Sequence, residues 1–349
     1  VQWYPTLTLD GIEMTGNSGQ SGGGLYFYVA SNPVTISNSK FFDNEATTSN
    51  GGGIEYIWYS ALNIDNSTFE RNTAAGSGGA IGHWYYTNLT VSDSTFADNI
   101  ATTGSGGAIM NYPAESSTYT TVITNSTFTG NTAASDGGAI WSGWLGTLSM
   151  DNNSLTDNAT EGTGGAVQVY VAAETTFTSN LFCHNSASWA GGLSVQWTPT
   201  DSWSHNRFVD NSADWGGGAY RYQVSQSQTI NNTFVGNAAD ESGGSYLSYN
   251  AGSEFINNIV AHTTSGSAIY GYDAGSYTNT PLSYNNWFDN TAVNGAGYFY
   301  VYTDQDGNNE ARPDFVNYSA DGDCTNDDLR LHSSSALRNA GDPSILNAD

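Results

Sequence analysis

An apolar residue followed three positions later by Asn recurs along almost the whole chain: Phe41/Asn44, Phe69/Asn72, Phe96/Asn99, Phe128/Asn131, Leu155/Asn158, Phe182/Asn185, Phe208/Asn211 and Phe234/Asn237. Met14/Asn17 and Trp287/Asn290 keep the spacing near the ends, and Ile259/His262 keeps it with His in the Asn place. As one series the anchors lie 25 to 32 residues apart and divide the chain into eleven near-equal units. Within about ten residues of an anchor comes a second signature: Gly-Gly-Ala-Ile at 78–81, 106–109 and 137–140, Gly-Gly-Ala-Val at 164–167 and Gly-Gly-Ala-Tyr at 217–220. A period of this length marks a repeat architecture, in which each unit buries its apolar face only by stacking on its neighbours.

Inside a unit, short β-rich runs such as Leu89-Thr90-Val91 and Val167-Gln168-Val169-Tyr170 alternate with Asn/Asp/Gly/Ser turns, and nothing reads as a capped helix. The pattern predicts an all-β chain, a single parallel β-helix of about eleven coils over 1–302, followed by an irregular C-terminal segment at 303–349 that packs on the last coils. Coils about 4.8 Å apart would stack the Phe series into an internal ladder. The Asn series would bond from coil to coil at one corner, and the Gly pair would allow positive φ and close approach at another. The interval of 32 between Asn99 and Asn131 leaves extra residues, placed at Pro113 to Tyr119, as a loop out of one face. The start at Val1-Gln2-Trp3 falls in mid-pattern, so a preceding segment or another molecule is expected to cover the first coil.

The paired signatures resemble the repeats of the chlamydial polymorphic outer membrane proteins and of bacterial right-handed parallel β-helix surface proteins more broadly. That resemblance implies a right-handed helix displayed outside the cell, with adhesion as its usual role. Asp328-Leu329-Arg330-Leu331 and Ser335-Ala336-Leu337-Arg338-Asn339-Ala340-Gly341-Asp342-Pro343 are similar to the closing segment of the choice-of-anchor Q β-helix proteins.

Charge narrows the function. The chain carries 33 Asp and Glu against 7 Lys and Arg, a formal net charge of −26, and Lys40 is its only lysine. Phosphate binding rests on clustered cations, so a nucleic-acid partner and an anionic membrane surface are both excluded, and a lyase acting on polyanions is disfavoured. No apolar run is long enough to span a bilayer. An acidic, lysine-poor, Asn- and Thr-rich chain points to a secreted or cell-surface protein.

Three groups carry the candidate chemistry. The first is the aromatic run after each Gly pair, including Trp58, Trp84, Tyr85, Trp144, Tyr170, Trp197 and Tyr222, with Tyr59 and Tyr300 among its other members. Because a strand alternates its faces, adjacent aromatics cannot all point inward, and an outer strip results. Such a strip serves self-association or stacking on a carbohydrate or cell-surface ligand, or else only stiffens the sheet. Trp189 and Trp215 occupy equivalent places in adjacent coils and should stack as a binding edge or a simple staple. The second group is the residue before the anchor, which reads Asp157, His184, Asp210 in three successive coils, a geometry suited to acid/base or metal chemistry in a polysaccharide-degrading enzyme, or to an ordinary surface ladder. The third is Asp304-Gln305-Asp306-Gly307-Asn308, in which Asp304, Asp306 and Asn308 resemble the start of a calcium loop, calcium being the one candidate cofactor; a plain Asp/Gly turn is the alternative. Cys183 and Cys324 are four coils apart, roughly 19 Å along the axis, and read as two free thiols unless the tail folds back along the rod. The best-supported function is a non-enzymatic adhesin or self-associating structural subunit, with a carbohydrate-binding or polysaccharide-degrading β-helix as the alternative.

Overall fold

A computed structural model of the chain describes residues 6–28, 32–58, 60–114, 118–249, 253–272, 282–291, 293–299, 306–321, 323–324, 326–338 and 340–342. Among them there is no helix, and every named strand pairing of the winding is parallel. A coil has four short strands, as in Val34–Ser37, Lys40–Phe42, Glu45–Ala46 and Ile54–Ile57, here called the opening, anchor, corner and ridge strands. The anchor strands stack into an 11-stranded sheet and the corner strands into a 9-stranded one. Opening and ridge strands join in one 20-stranded sheet, because Ile140–Asp151 and Val167–Thr178 run unbroken from a ridge strand into the next opening strand.

The Phe series is the internal ladder that its spacing predicts. Phe69 pairs in register with Phe41 and Phe96, and the rings stack 4.7 and 4.9 Å apart within 3° of parallel. The Asn series stands beside it. Asn131 donates its backbone N–H to Asn158 Oδ1 (3.0 Å), while its Nδ2 donates to the same oxygen (2.9 Å) and to the Phe96 carbonyl (3.0 Å). Each buried turn is thus satisfied by the coil beyond it. At the Gly pair the two glycines have separate reasons: Gly78 takes φ +67, and a Cβ on Gly79 would run into the Gly107 carbonyl.

Register corrects the tenth coil. Val260, and not Ile259, pairs with Phe234 and Trp287. The anchor is then Thr263, whose N–H donates to Asn290 Oδ1 at 3.0 Å. His262 moves into the preceding column, where every residue has positive φ: Asp43 (54°), Asp157 (57°), His184 (53°), Asp210 (51°), Gly236 (70°), His262 (54°) and Asp289 (51°). That conformation favours Gly, Asp, Asn and His, which fill the column except at Arg71 (53°), and Arg71 pairs with Asp43 of the preceding coil.

The two cysteines are also corrected. Cys183 and Cys324 form a disulfide with Cα atoms 6.5 Å apart. The tail folds back along the anchor face as an antiparallel pair, Phe315–Asn317 with Asp328–Leu331. Leu329, Phe315 and Tyr318 pack on Leu181, Val209 and Val235, which point outward from the seventh to ninth anchor strands. In earlier coils the position of Leu181 holds Thr68, Thr95, Thr127 and Ser154, and that of Val209 and Val235 holds Phe42, Glu70, Ala97, Thr129 and Thr156. The strap is keyed at Gly236, where a side chain would collide with the Asp210 carboxylate and lie within 2.9 Å of the Tyr318 hydroxyl. Tyr318 also stacks on His262 at 5.5 Å.

Polar groups line part of the interior. His83 is fully buried, its Nδ1 2.7 Å from Asn111 Oδ1 and its Nε2 3.1 Å from Thr87 Oγ1. Burial pulls its pKa down to about 4 from the usual 6.5. The unfolded chain therefore takes up this proton on acidification before the folded one does. Stability from this site is full above about pH 6.5 and is lost as pH falls toward 4, by about 3 kcal/mol in all. Denaturant titrations at pH 7 and pH 4.5 should show this loss in the native protein and a smaller one in His83→Gln; equal losses would rule out His83 as the source.

Candidate functional site

Ridge strands end at a corner where the backbone again takes positive φ, but the residues are different. Trp58 (68°), Tyr85 (49°), Tyr86 (55°), Trp144 (56°) and Trp197 (56°) all adopt it, with Ala114, Val171 and Gln223 at the same corner of other coils. The left-handed region costs an L residue roughly 1–2 kcal/mol, and for a bulky side chain it is an outlier. Asp or Asn fills equivalent positions on the other corners, so the corner itself does not demand aromatics.

The rings form extended stacks. Trp58 lies on Tyr85 at 4.6 Å, Tyr85 touches Tyr112 edge-on at 5.9 Å, and Tyr112 reaches Trp141 at 6.2 Å. Trp144 meets Tyr170 at 6.0 Å. Farther along, Trp197 meets Tyr222 at 5.2 Å, and Tyr222, Tyr249 and Tyr272 follow at 4.9 Å each. Trp144 is 37% exposed, Trp197 44% and Tyr272 50%. Trp58, Tyr85, Tyr170 and Tyr222 are half-buried by their neighbours. Trp84 turns back against Gly82, which leaves its indole nitrogen buried and without a hydrogen-bond partner. Tyr59 and Tyr300 lie outside the described residues.

The long interval between the fourth and fifth anchors opens at this same corner. It leaves the ridge strand Ile109–Tyr112 and re-enters at Thr120–Thr124, with residues 115–117 outside those described. Trp189 and Trp215 stack at 5.4 Å and 11° as their spacing predicts. They sit at the end of the corner strands and join Tyr220 and Leu247 in a small outer cluster.

His184 does lie between the two carboxylates, its Nδ1 3.6 Å from Asp157 Oδ1 and its Nε2 3.6 Å from Asp210 Oδ2. Asp210 is pushed above the usual carboxylate range by burial and by Asp327 and Asp321 of the strap, against the pull of His184. The Tyr318 phenol, buried against Asp210 and Asp327, is pushed up strongly. Asp210 thus holds the strap in place, which is a structural use of the group. Among the described residues no cluster of three or more His, Cys, Asp or Glu is arranged to hold a metal ion.

Of the calcium-loop residues, Asp304 lies outside the described set. Asp306 turns the chain at φ 53° and accepts the Tyr284 N–H at its carbonyl. Asn308 is committed elsewhere: its Oδ1 accepts the Asn285 N–H at 2.9 Å and its Nδ2 donates to the Leu282 carbonyl at 2.7 Å. It ends a second buried polar column that begins as Ser39, Ser67, Ser94 and Ser126 and continues as Asn153, Asn180, Asn206, Asn232, Asn258 and Asn285. Sequence reading missed this column, although its signal, Ser or Asn two residues before each Phe-position residue, is as regular as the first. The Asn308 side chain is therefore part of the winding.

A family model described as right handed beta helix region matches residues 6–182, just over half of the chain. The chain belongs to the right-handed beta helix family. No curated protein matches it. Membership fixes the hand of the winding and the fold; right-handed beta helices include both enzymes and non-enzymes, so function rests on the surfaces described above. Among the described residues no helix is long and apolar enough to cross a membrane.

Proposed function

We propose that this beta helix is a non-enzymatic binding rod of the cell surface or extracellular matrix, and that it engages its partner through the Trp/Tyr ridge. The observation that carries the reading is the placement of Trp58, Tyr85, Trp144 and Trp197 in left-handed backbone at an outer corner. Strain of that kind persists where surrounding structure enforces it, and it concentrates at functional sites. Contiguous apolar surface on a solvated protein marks a contact. The Cys183–Cys324 disulfide supports an oxidising compartment outside the cytosol. The likeness of the repeats to chlamydial surface proteins supports adhesion or assembly as the use of the ridge.

Retention on cell-wall and matrix fragments, together with sedimentation at rising protein concentration, tests this reading. The native protein should be retained or should self-associate, and the triple variant Trp58→Ala/Trp144→Ala/Trp197→Ala should do neither. Equal behaviour of the two proteins would refute a contact role for the ridge. Polysaccharide turnover that vanishes in Asp210→Ala would refute the non-enzymatic part.

A further inference from the structure

The chemistry of the ridge points to one class of ligand. Among the described residues, the strongly exposed aromatics are all Tyr and Trp, whereas the Phe side chains concentrate in the core. A contact made only by apolar burial would use Phe and Leu equally well. Tyr and Trp combine a flat apolar face with a hydrogen-bonding edge, which suits a partner that is itself half apolar and hydroxyl-rich.

Charge removes the acidic members of that class. The described cations lie elsewhere: Lys40, Arg71 and Arg207 on the anchor strands and their corner, Arg312, Arg330 and Arg338 on the tail, and Arg221 in the core. A polyanion would meet the field of a chain of net charge −26 with no cation at the ridge to offset it. Spacing adds direction. Trp144 and Trp197 hold the same corner position in the fifth and seventh coils, with Val171 between them, so their platforms lie about 9.6 Å apart along the axis. Successive rings of an extended pyranose chain advance by close to one coil per sugar, so alternate sugars of a strand laid along the axis would meet these two indoles.

We infer that the ridge binds a neutral, extended polysaccharide lying parallel to the solenoid axis, with Trp144 and Trp197 as its main stacking platforms. The inference rests on the ridge being a contact surface and specifies what it contacts. Sugar C–H faces stack on the indoles, and ring hydroxyls bond to the Tyr edges between them.

The test is retention on insoluble cellulose, chitin and mannan, and affinity electrophoresis in soluble xyloglucan, with alginate and polygalacturonate as acidic probes. Binding to at least one neutral polymer and to neither acidic one is expected. Loss of two stacking platforms in Trp144→Ala/Trp197→Ala should weaken it by about tenfold or more. Ile100→Ala, which trims an exposed apolar side chain on a corner strand away from the ridge, should leave it unchanged. Trp197→Gly guards against unfolding: it relieves the left-handed strain, so its melting temperature should hold or rise while binding falls. Absence of binding to every neutral polymer, or binding indifferent to Trp144 and Trp197, overturns the inference. Should no polymer bind while the double variant abolishes self-association, the sugar is wrong and the contact ridge stands. Should neither polymer binding nor association depend on these two residues, both fall.

Discussion

Asp201→Ala is expected to destabilise the seventh to ninth coils by about 3–5 kcal/mol, because it leaves a guanidinium buried inside the solenoid without its counter-charge. Arg221 is wholly buried and its Nε donates to Asp201 Oδ2 at 2.7 Å. Its other nitrogens reach Thr229 Oγ1 and the Gln228 carbonyl, and its plane lies 3.7 Å over the Trp203 ring. Asp201 takes a further hydrogen bond from Thr175 Oγ1 at 2.6 Å. Burial opposes ionisation of Asp201, and Arg221 with Thr175 opposes that effect. Removing both charges is a different matter: Asp201→Leu/Arg221→Met should recover most of the loss or exceed it, since a well-packed apolar pair dispenses with the desolvation cost. Hydrogen exchange at the amides of Thr200–Ser204 and Ala219–Tyr222, with denaturant midpoints, would measure both. A single variant within 1 kcal/mol of the native protein would mean that water reaches Arg221.

That pair also shows where a repeat sequence is legible and where it is not. The Phe and Asn ladders can be read directly, because stacking forces the same residue type onto the same place in every coil. The tenth coil misleads: His262 stands three residues after an aliphatic residue and looks like an anchor, but the pairing of Val260 with Phe234 makes it the left-handed corner residue. Positive φ at Asp157, His184 and Asp210 favours Asp and His there, and a sequence shows the residues without the backbone angle. The ridge aromatics were legible as an outer strip, but their strain was not, since nothing in Trp58 or Trp197 as letters signals a left-handed corner. Sequence held one unread clue to the strap. Leu181 and Cys183 flank Phe182, and Val209 and Val235 follow Phe208 and Phe234, where the coils just before them carry Thr127, Thr129, Ser154 and Thr156; outward apolar residues in three successive coils of a mostly polar face point to a cover.

That cover leads to the second large effect, expected from Cys183→Ala/Cys324→Ala. The disulfide closes a separation of 141 residues, for which loop-closure entropy gives an upper limit of about 5 kcal/mol when the whole rod unfolds. Much of the effect will read locally, because the rod stays wound by its own ladders when the strap lifts. Without the bond, the strap is held by Leu329, Phe315 and Tyr318 on the Leu181–Val209–Val235 patch, by the Tyr318 phenol against Asp210, and by the Asp342 N–H on Asn257 Oδ1 at 2.7 Å. Those contacts are few, so the Phe315–Asn317 and Asp328–Leu331 amides should lose protection while the Phe ladder keeps it. Proteolysis between 313 and 342 should quicken, and the uncovered Leu and Val patch should draw the variant into aggregates on warming. Dithiothreitol should act on the native protein in the same way, and adding Gly236→Ala to the double variant should release the strap further by filling the gap that receives the Tyr318 hydroxyl. Unchanged exchange of the strap amides after reduction would mean that packing alone holds it and that the disulfide contributes only to the unfolded chain.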